Sequence, residues 1–200
     1  VTNDDGISAP GLRNLISVMN EIGEVVVVAP DSPQSGMGHA ITINNTLRCT
    51  KIKLDNGPQM EYSCSGTPAD CVKLGVHEIL KSKPDLCVSG INHGSNSSIN
   101  VIYSGTMSAA IEAGIEGIPA IGFSFLDYSW DADFSQIRPF IKKIALSPAE
   151  IKRNKENHLL FRYSQGTTTQ ERLGLALKLQ DTIKPIVQPT IIRLKKKKIR

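Results

Sequence analysis

Two adjacent carboxylates are the first residues of the chain that could do chemistry. Asp4 and Asp5 stand in an Asn-Asp-Asp-Gly segment, directly after Val1 and Thr2. Carboxylate oxygens are preferred ligands of hard divalent cations, and the repulsion between neighbouring carboxylates is relieved when a cation binds. The pair therefore predicts a metal site, although taken alone it is also typical of an ordinary turn.

A second polar segment, residues 89–96, is rich in Gly and Asn. Asn92 offers a neutral amide oxygen to a metal, and the backbone N–H groups around Gly94 could bind an anion. Asn96 adds an amide donor for a phosphate oxygen. A plain Gly/Asn-rich turn is the alternative, but the stretch is long and polar between two apolar elements.

A third segment, Ser104-Gly105-Thr106, directly precedes a predicted helix. Hydroxyl donors at a helix N-terminus, where the helix dipole is positive, favour phosphate binding. Capping of the helix by one hydroxyl is the alternative. A fourth segment, residues 31–39, contains serines and glycines and is either a ligand loop or a flexible connection.

The elements that must position these segments alternate between strand and helix. Short apolar runs predict buried strands at residues 25–29, 85–89 and 118–124, and helical spacing or capping signals predict helices at residues 11–22, from Thr67, and at residues 107–115. The Asn56-Gly57 pair predicts a β-hairpin between the first two of these strands. This alternation is typical of a parallel sheet with helices on both faces.

The four polar segments then share one edge of the sheet, because ligands in open α/β sheets bind beyond the carboxyl ends of the strands. Together they offer carboxylates, neutral oxygens and anion donors. That set of groups is suited to metal-assisted hydrolysis of a phosphate ester.

Several ordered blocks of the sequence closely resemble the SurE family of stationary-phase survival proteins, over residues 1 to about 146. The blocks are Val-Thr-Asn-Asp-Asp-Gly-Ile (1–7), Val-Ala-Pro-Asp (28–31), Gln-Ser-Gly (34–36), Gly-His (38–39), Gly-Thr-Pro-Ala-Asp-Cys-Val (66–72), Val-Ser-Gly-Ile-Asn-His-Gly (88–94), Asn96 and Tyr-Ser-Gly-Thr (103–106). The resemblance implies an α/β fold: a Rossmann-like three-layer sandwich with a mainly parallel sheet and a β-hairpin excursion.

The resemblance also implies a function, a divalent-metal-dependent 5′-nucleotidase that hydrolyses nucleoside monophosphates to nucleoside and phosphate. The metal is expected to be Mg²⁺ or Mn²⁺. By resemblance the metal ligands are Asp4, Asp5, Ser35 and Asn92, whereas the residues alone do not favour Ser35 over Ser32. The phosphate-binding residues implied are Gly94, Asn96, Ser104, Gly105 and Thr106.

The catalytic residues are expected to be Asp4 and Asp5, either of which could orient the attacking water. His39 and His93 are expected beside the site in structural roles rather than as phosphate donors. Tyr128 and Trp130 follow a predicted strand and either approach a base or form a local packing cluster.

Composition and charge narrow the class of protein. The chain has 200 residues, with 40% hydrophobic and 21% charged residues, which excludes a disordered chain or a collagen. Residues 147–200 hold 13 Lys or Arg against 4 Asp or Glu, whereas residues 1–146 hold 10 against 15. The basic charge thus belongs to the end of the chain, and no aromatic residues are interleaved with Lys195–Lys198, which argues against a nucleic-acid partner.

Cysteine usage and hydropathy predict a cytoplasmic location. The four cysteines show no CxxC spacing and no secretory segment is visible, so free thiols are expected at Cys49, Cys64, Cys71 and Cys87. No apolar run approaches the roughly 20 residues needed to span a bilayer, which predicts no membrane partner.

The two ends of the chain depart from the family pattern. The chain begins at Val1, so we expect a first strand that is incomplete, with two residues too few to occupy a place in the sheet. We divide the chain into residues 1–146, a metal-dependent phosphatase core, and residues 147–200, an atypical basic tail that is disordered or read from a shifted frame. Family members form dimers or tetramers through a hairpin arm, which we do not find after Leu146.

Two alternative functions stay open at this stage. The chain could be an inactive remnant that binds nucleotide or phosphate without turnover. Alternatively, the basic tail could be the working part and bind nucleic acid, with binding that depends steeply on salt. Phosphate release from AMP separates the first alternative from the enzyme.

Overall fold

The computed structural model describes residues 1–96, 98–129 and 131–146, together with the backbone of 160–163 and 175–178. The strands are β1 Val26–Pro30, β2 Cys49–Ile52, β3 Met60–Cys64, β4 Cys87–His93, β5 Ala120–Phe125, β6 Leu160–Tyr163 and β7 Leu175–Lys178. The helices are α1 Pro10–Asn20, α2 Pro68–Leu74, α3 Gly105–Ile115 and α4 Arg138–Ala145. A π-helical turn, Gly75–Ile79, continues α2, and a 3₁₀ helix, Ser98–Tyr103, precedes α3.

The strands form two hydrogen-bonded groups, β2-β3-β1 and β4-β5-β6-β7, which the start of the chain joins. Val1 donates its amino group to the carbonyl of Val26 (2.7 Å) and accepts from the N–H of Val28 (3.0 Å). On the other side, the N–H of Thr2 donates to the carbonyl of Val88 (3.0 Å). The expectation that two residues are too few to occupy a place in the sheet is therefore wrong, because both are bonded to the neighbouring strands.

The pairing is mainly parallel, as the sequence predicts. β1 pairs with β3, β4 with β5, and β5 with β6 in parallel, whereas β2 with β3 and β6 with β7 are antiparallel. The antiparallel β2–β3 pair is the hairpin predicted around Asn56-Gly57. β4 continues to His93, further than the predicted end at residue 89, so Asn92 lies on a strand rather than in the loop after it.

The hairpin corrects the expectation for two of the cysteines. Cys49 and Cys64 stand opposite each other in the β2–β3 register, with Cα atoms 4.2 Å apart, and form a disulfide. Free thiols at these positions were expected because spacing in the sequence does not reveal cross-strand register. Cys71 and Cys87 are free thiols, as predicted.

Helices cover both faces of the sheet, which confirms the three-layer Rossmann-like fold. On one face, α1 buries Leu12, Leu15 and Ile16 against strand residues such as Val27 and Ile121, and α4 packs beside it. On the other face, α2 and α3 pack together and against β1, β4 and β5. None of the helices described here is long and apolar enough to cross a membrane.

Local signals fix where the helices on the site's face begin. Thr67 and Asp70 form a capping box at the start of α2, with Pro68 at the first position. Ser104 caps α3, since its Oγ accepts a hydrogen bond from the N–H of Met107 (3.1 Å). α3 thus begins directly at the predicted phosphate-binding segment.

Residues 147–200 contain two short strands, β6 and β7, and β6 extends the parallel sheet beside β5. The other residues of this range lie outside the described residues. The predicted disordered or frame-shifted tail therefore stays a prediction.

Candidate active site

The carboxylate pair lies at the carboxyl end of the short central segment Val1-Thr2. The turn after it is held by two bonds: Asn3 Nδ2 donates to the carbonyl of Gly6 (3.0 Å), and the N–H of Ile7 donates to the carbonyl of Pro30 (2.8 Å). Gly6 has φ +96°, a conformation that L side chains rarely adopt. The Asn-Asp-Asp-Gly segment therefore turns back over β1 and holds both carboxylates at this edge.

Both carboxylates have raised pKa values. Burial raises the pKa of Asp4, which is 5% exposed, and hydrogen bonds from Thr106 and Gly105 act in the opposite direction. Burial, followed by the negative charge of Asp4, raises the pKa of Asp5 to about 6, while nearby His93 acts to lower it. The site thus concentrates negative charge in a poorly hydrated place, which a cation would stabilise.

Asp4 contacts the N-terminus of α3, which is more than a hundred residues away in the sequence. Thr106 Oγ1 donates a hydrogen bond to Asp4 Oδ1, and backbone N–H groups of Gly105 and Thr106 also bond to the carboxylate. A Cβ on Gly105 would lie 2.5 Å from Asp4 Cβ, so only glycine allows this approach. The predicted metal-binding and phosphate-binding residues are therefore in direct contact.

The serine-containing loop, residues 34–39, is anchored at both ends. The N–H of Gln34 donates to the carbonyl of Asp4 (2.7 Å), and the N–H of Gly38 donates to the carbonyl of Tyr103 (3.1 Å). His39 Nε2 lies 2.7 Å from Glu112 Oε2 on α3. The loop therefore spans the space between the carboxylate pair and α3, and Ser35 lies within it.

The structure shows a difference between Ser32 and Ser35, which the sequence alone does not distinguish as ligands. Ser32 Oγ donates to Asp31 Oδ1 (2.8 Å). The Ser35 hydroxyl is exposed and makes no hydrogen bond among the residues described. Of the two serines, Ser35 is therefore the one whose hydroxyl has no competing hydrogen bond within the described residues and is available to a ligand.

Asn92 is oriented by its own neighbours on β4. Its Nδ2 donates to the carbonyls of His93 and Gly94, both at 3.1 Å. Because the amide nitrogen is engaged in these two bonds, Oδ1 is the group that is left to act as a ligand. The role of Asn92 as a neutral oxygen ligand stays a prediction.

The phosphate-binding candidates after β4 are held by the end of β5. The N–H of Gly94 donates to the carbonyl of Phe125 (2.7 Å), and Asn96 Nδ2 donates to Ser124 Oγ (2.8 Å). Gly94 has φ +93°. The ring of Tyr128 lies against Gly94 at the place that a side chain would occupy.

The chemistry of the donors fits a hard divalent cation. Asp5 Oδ2 is buried and has no hydrogen-bond partner within the described part of the chain. An orphaned carboxylate oxygen is costly unless a ligand satisfies it. No group of three or more His, Cys, Asp or Glu side chains could hold a metal among the described residues, so a site here must add neutral oxygens such as those of Ser35 and Asn92.

Sequence reasoning missed one charged cluster beside the site. Glu112 is buried on α3, and it contacts Lys73 Nζ (2.6 Å) as well as His39. No signal in the sequence links these residues, because His39 and Glu112 are 73 positions apart.

A cavity of about 560 Å³ lies at the opposite edge of the sheet. It is lined mainly by apolar side chains at the starts of the strands, such as Val25, Leu86 and Ile118. The candidate site does not use it.

Comparison with known proteins identifies the family of this chain. The family model for survival protein SurE matches residues 1–176. The chain is 79% identical over 146 residues to the 5′-nucleotidase SurE of Flavobacterium psychrophilum, covering 73% of this chain and 57% of that protein. It is 50% identical over 145 residues to the 5′-nucleotidase SurE of Bacteroides thetaiotaomicron, covering 72% of this chain and 56% of that protein. The chain thus spans little more than half the length of these relatives.

A solved structure shares the fold. The crystal structure of the SurE protein from Aquifex aeolicus superposes with a TM-score of 0.73 at 38% sequence identity, covering 85% of this chain and 66% of that one. The motif blocks, the three-layer fold and the match over residues 1–176 lead to the same conclusion. The chain belongs to the SurE family of survival proteins.

Proposed function

We propose that this chain hydrolyses nucleoside 5′-monophosphates to nucleoside and phosphate with the help of one divalent cation, Mg²⁺ or Mn²⁺. The relatives named above carry the name 5′-nucleotidase. The single observation that best supports the proposal is the contact between Asp4 and the N-terminus of α3. It joins a cation-binding carboxylate to a helix end that favours phosphate.

The proposed ligands of the cation are Asp4, Asp5, Ser35 and Asn92. When bound, the cation supplies positive charge that polarises the phosphoryl group. The proposed phosphate-binding residues are Gly94, Asn96, Ser104, Gly105 and Thr106. The positive end of the α3 dipole and the amide of Asn96, whose nitrogen carries a second hydrogen beside the one donated to Ser124, would stabilise the charge that develops on the phosphoryl oxygens.

Asp4 and Asp5 are proposed to have different roles. Asp4 is already bonded to Thr106 and to the start of α3, which fixes its orientation. Asp5 Oδ2 has no partner among the described residues, and the pKa of Asp5 is raised to about 6. Asp5 is therefore the better placed of the two to accept a hydrogen bond from the attacking water and orient it.

The test is phosphate release from AMP in the presence of Mn²⁺. We expect metal-dependent release by the unmodified chain and a loss of at least a hundredfold in Asp4→Asn and in Asp5→Asn. Asp85→Asn is the matched control, since Asp85 is an exposed carboxylate before β4 at the opposite edge of the sheet. It is expected to keep full activity.

Two outcomes would overturn the proposal. Release that persists in both site variants would place the activity elsewhere. A folded, monodisperse protein that binds Mn²⁺ and AMP without any release would instead be the inactive nucleotide-binding remnant.

The proposal extends to partners and location. The substrate is a nucleoside monophosphate, and neither nucleic acid nor a membrane is proposed as a partner. We do not propose the dimer or tetramer of the family, because the sequence after Leu146 does not show the hairpin arm expected to form it. Sedimentation of the purified chain would check this. We propose a cytoplasmic location. The expectation of four free thiols supported this location, and the Cys49–Cys64 disulfide leaves only two of them, Cys71 and Cys87, in its support.

A further inference from the structure

Two tyrosines flank the proposed phosphate-binding residues and expose their rings. Tyr128 is 77% exposed and Tyr103 is 58% exposed. Among the residues whose side chains are described, these are the exposed aromatic residues, whereas Phe123, Phe125 and Phe134 are buried. Exposed aromatic side chains confined to the rim of one site indicate a ligand with an apolar, planar part.

Of the two tyrosines, Tyr128 is the one whose ring contacts a proposed phosphate-binding residue, Gly94. Its ring lies against Gly94, where a Cβ would overlap Cε1 and lie 3.0 Å from both Cδ1 and Cζ. Gly94 is in turn bonded to Phe125, three residues before Tyr128, so the chain after β5 folds back over the phosphate-binding segment. The positive φ of Gly94 and the presence of the ring both exclude a side chain at position 94.

Nothing among the described residues explains this position by packing. Tyr128 makes no hydrogen bond there, and its ring is absent from the buried clusters. The ring of Tyr128 packs on a glycine of the proposed phosphate-binding segment, yet Tyr128 is 77% exposed, so most of its surface is available to a ligand. Because the ring lies against Gly94, the organic group of a phosphate ester bound at the proposed Gly94 and Asn96 positions would be near it.

We infer that Tyr128 binds the nucleobase by stacking and thereby selects nucleotides over phosphate esters that have no aromatic group. This inference rests on the proposed function, because it assigns the organic half of the same substrate. Stacking of a base on an aromatic side chain is tolerant of base identity, since every base has a π face. Tyr128 therefore favours nucleotides as a class without choosing among the bases.

The test compares AMP with ribose 5-phosphate, which has the same phosphate and sugar but no base. Both are measured in the presence of Mn²⁺, by phosphate release and by calorimetric affinity, on the unmodified chain and on Tyr128→Phe and Tyr128→Ala. We expect Tyr128→Ala to weaken AMP binding and kcat/KM about tenfold, with little change for ribose 5-phosphate. Tyr128→Phe keeps the ring and is expected to keep the selectivity.

Each result has a distinct meaning. Equal losses for both ligands, or no loss for either, would overturn the assignment of Tyr128. Selectivity lost in Tyr103→Ala but kept in Tyr128→Ala would also overturn it and move the role to the other tyrosine. Binding that shows the expected selectivity without phosphate release would support stacking while contradicting the proposed hydrolysis, so the two failures are distinguishable.

Discussion

Thr106 donates a hydrogen bond from its hydroxyl to Asp4, across 102 positions of sequence. Thr106 is fully buried at the first turn of α3, and Asp4 is 5% exposed. This bond connects Asp4, which follows the central segment Val1-Thr2, to the N-terminus of α3, where phosphate is proposed to bind. The relationship makes the two halves of the site one unit, and it can be tested residue by residue.

Replacing Thr106 by Val removes the hydroxyl at almost constant volume. We expect kcat/KM for AMP to fall about 10- to 100-fold, because a hydrogen bond to a charged group contributes about 1.5–3 kcal/mol. The affinity for Mn²⁺, measured by titration, is expected to fall as well, since Asp4 loses a bond that orients it. Thr106→Ser keeps the hydroxyl and serves as the control, and equal behaviour of the two variants would contradict the role of the bond.

Replacing Gly105 by Ala places a methyl group 2.5 Å from Asp4 Cβ and 3.0 Å from Asp4 Oδ2. Either Asp4 or the start of α3 must shift, and overpacking of this kind usually destabilises by about 1–3 kcal/mol. We expect Mn²⁺ affinity and activity to drop about tenfold or more. Gly23→Ala is the matched control, because nothing lies within 4 Å of its Cβ position, and a similar loss there would rule out the steric explanation.

The pair formed by His39 and Glu112 is expected to position Ser35. His39→Ala releases one end of the loop 34–39. We predict a five- to tenfold weaker affinity for Mn²⁺, with little change in melting temperature. His39→Gln retains a donor and should restore part of the affinity. His77→Ala is the control, since His77 also pairs with a glutamate, Glu116 (3.1 Å), but is exposed and outside the loop. Equal effects at the two histidines would refute a positioning role.

Replacing Asp5 by Asn should stabilise the metal-free protein while removing its response to metal. Burial and Asp4 raise the pKa of Asp5 to about 6, so the folded state binds a proton more tightly than the unfolded state does. The wild-type protein therefore loses stability, on the order of 2–3 kcal/mol, as the pH rises from about 4 through 6. Thermal unfolding with a chelator should show Asp5→Asn more stable above pH 6, and no difference below pH 4.

Added Mn²⁺ provides the second half of this test. It should raise the melting temperature of the wild-type protein, because a ligand that binds only the folded state stabilises it. Asp5→Asn should show little or no rise, and Asp85→Asn should match the wild type in both parts. A wild-type stability that is flat between pH 4 and 7 would contradict the raised pKa.

Much of the fold could be predicted from local signals. The capping residue Thr67, the hairpin pair Asn56-Gly57 and the short apolar runs each act through conformational preferences within a few residues, and each of these elements is present. Strand ends were less predictable. β4 runs four residues past its predicted end, because pairing with β5 resumes at Asn92 after an irregularity in the register.

The candidate site was likewise predictable only in part. The order of the motifs along an alternating strand and helix pattern placed Asp4, Asn92 and Ser104 at one edge of a sheet, since the carboxyl ends of parallel strands meet there. The sequence by itself thus determined which chemical groups are proposed for the site. It did not determine which of them touch.

Only the tertiary structure decided the contacts. The bond from Thr106 to Asp4, the pairing of His39 with Glu112 and the Cys49–Cys64 disulfide join residues that are close only after the sheet and helices have packed. Such long-range pairings depend on the register and packing of the whole chain, for which no short stretch of sequence carries a signal. For the same reason, the free hydroxyl of Ser35 and the ring of Tyr128 over Gly94 became visible only in the folded protein.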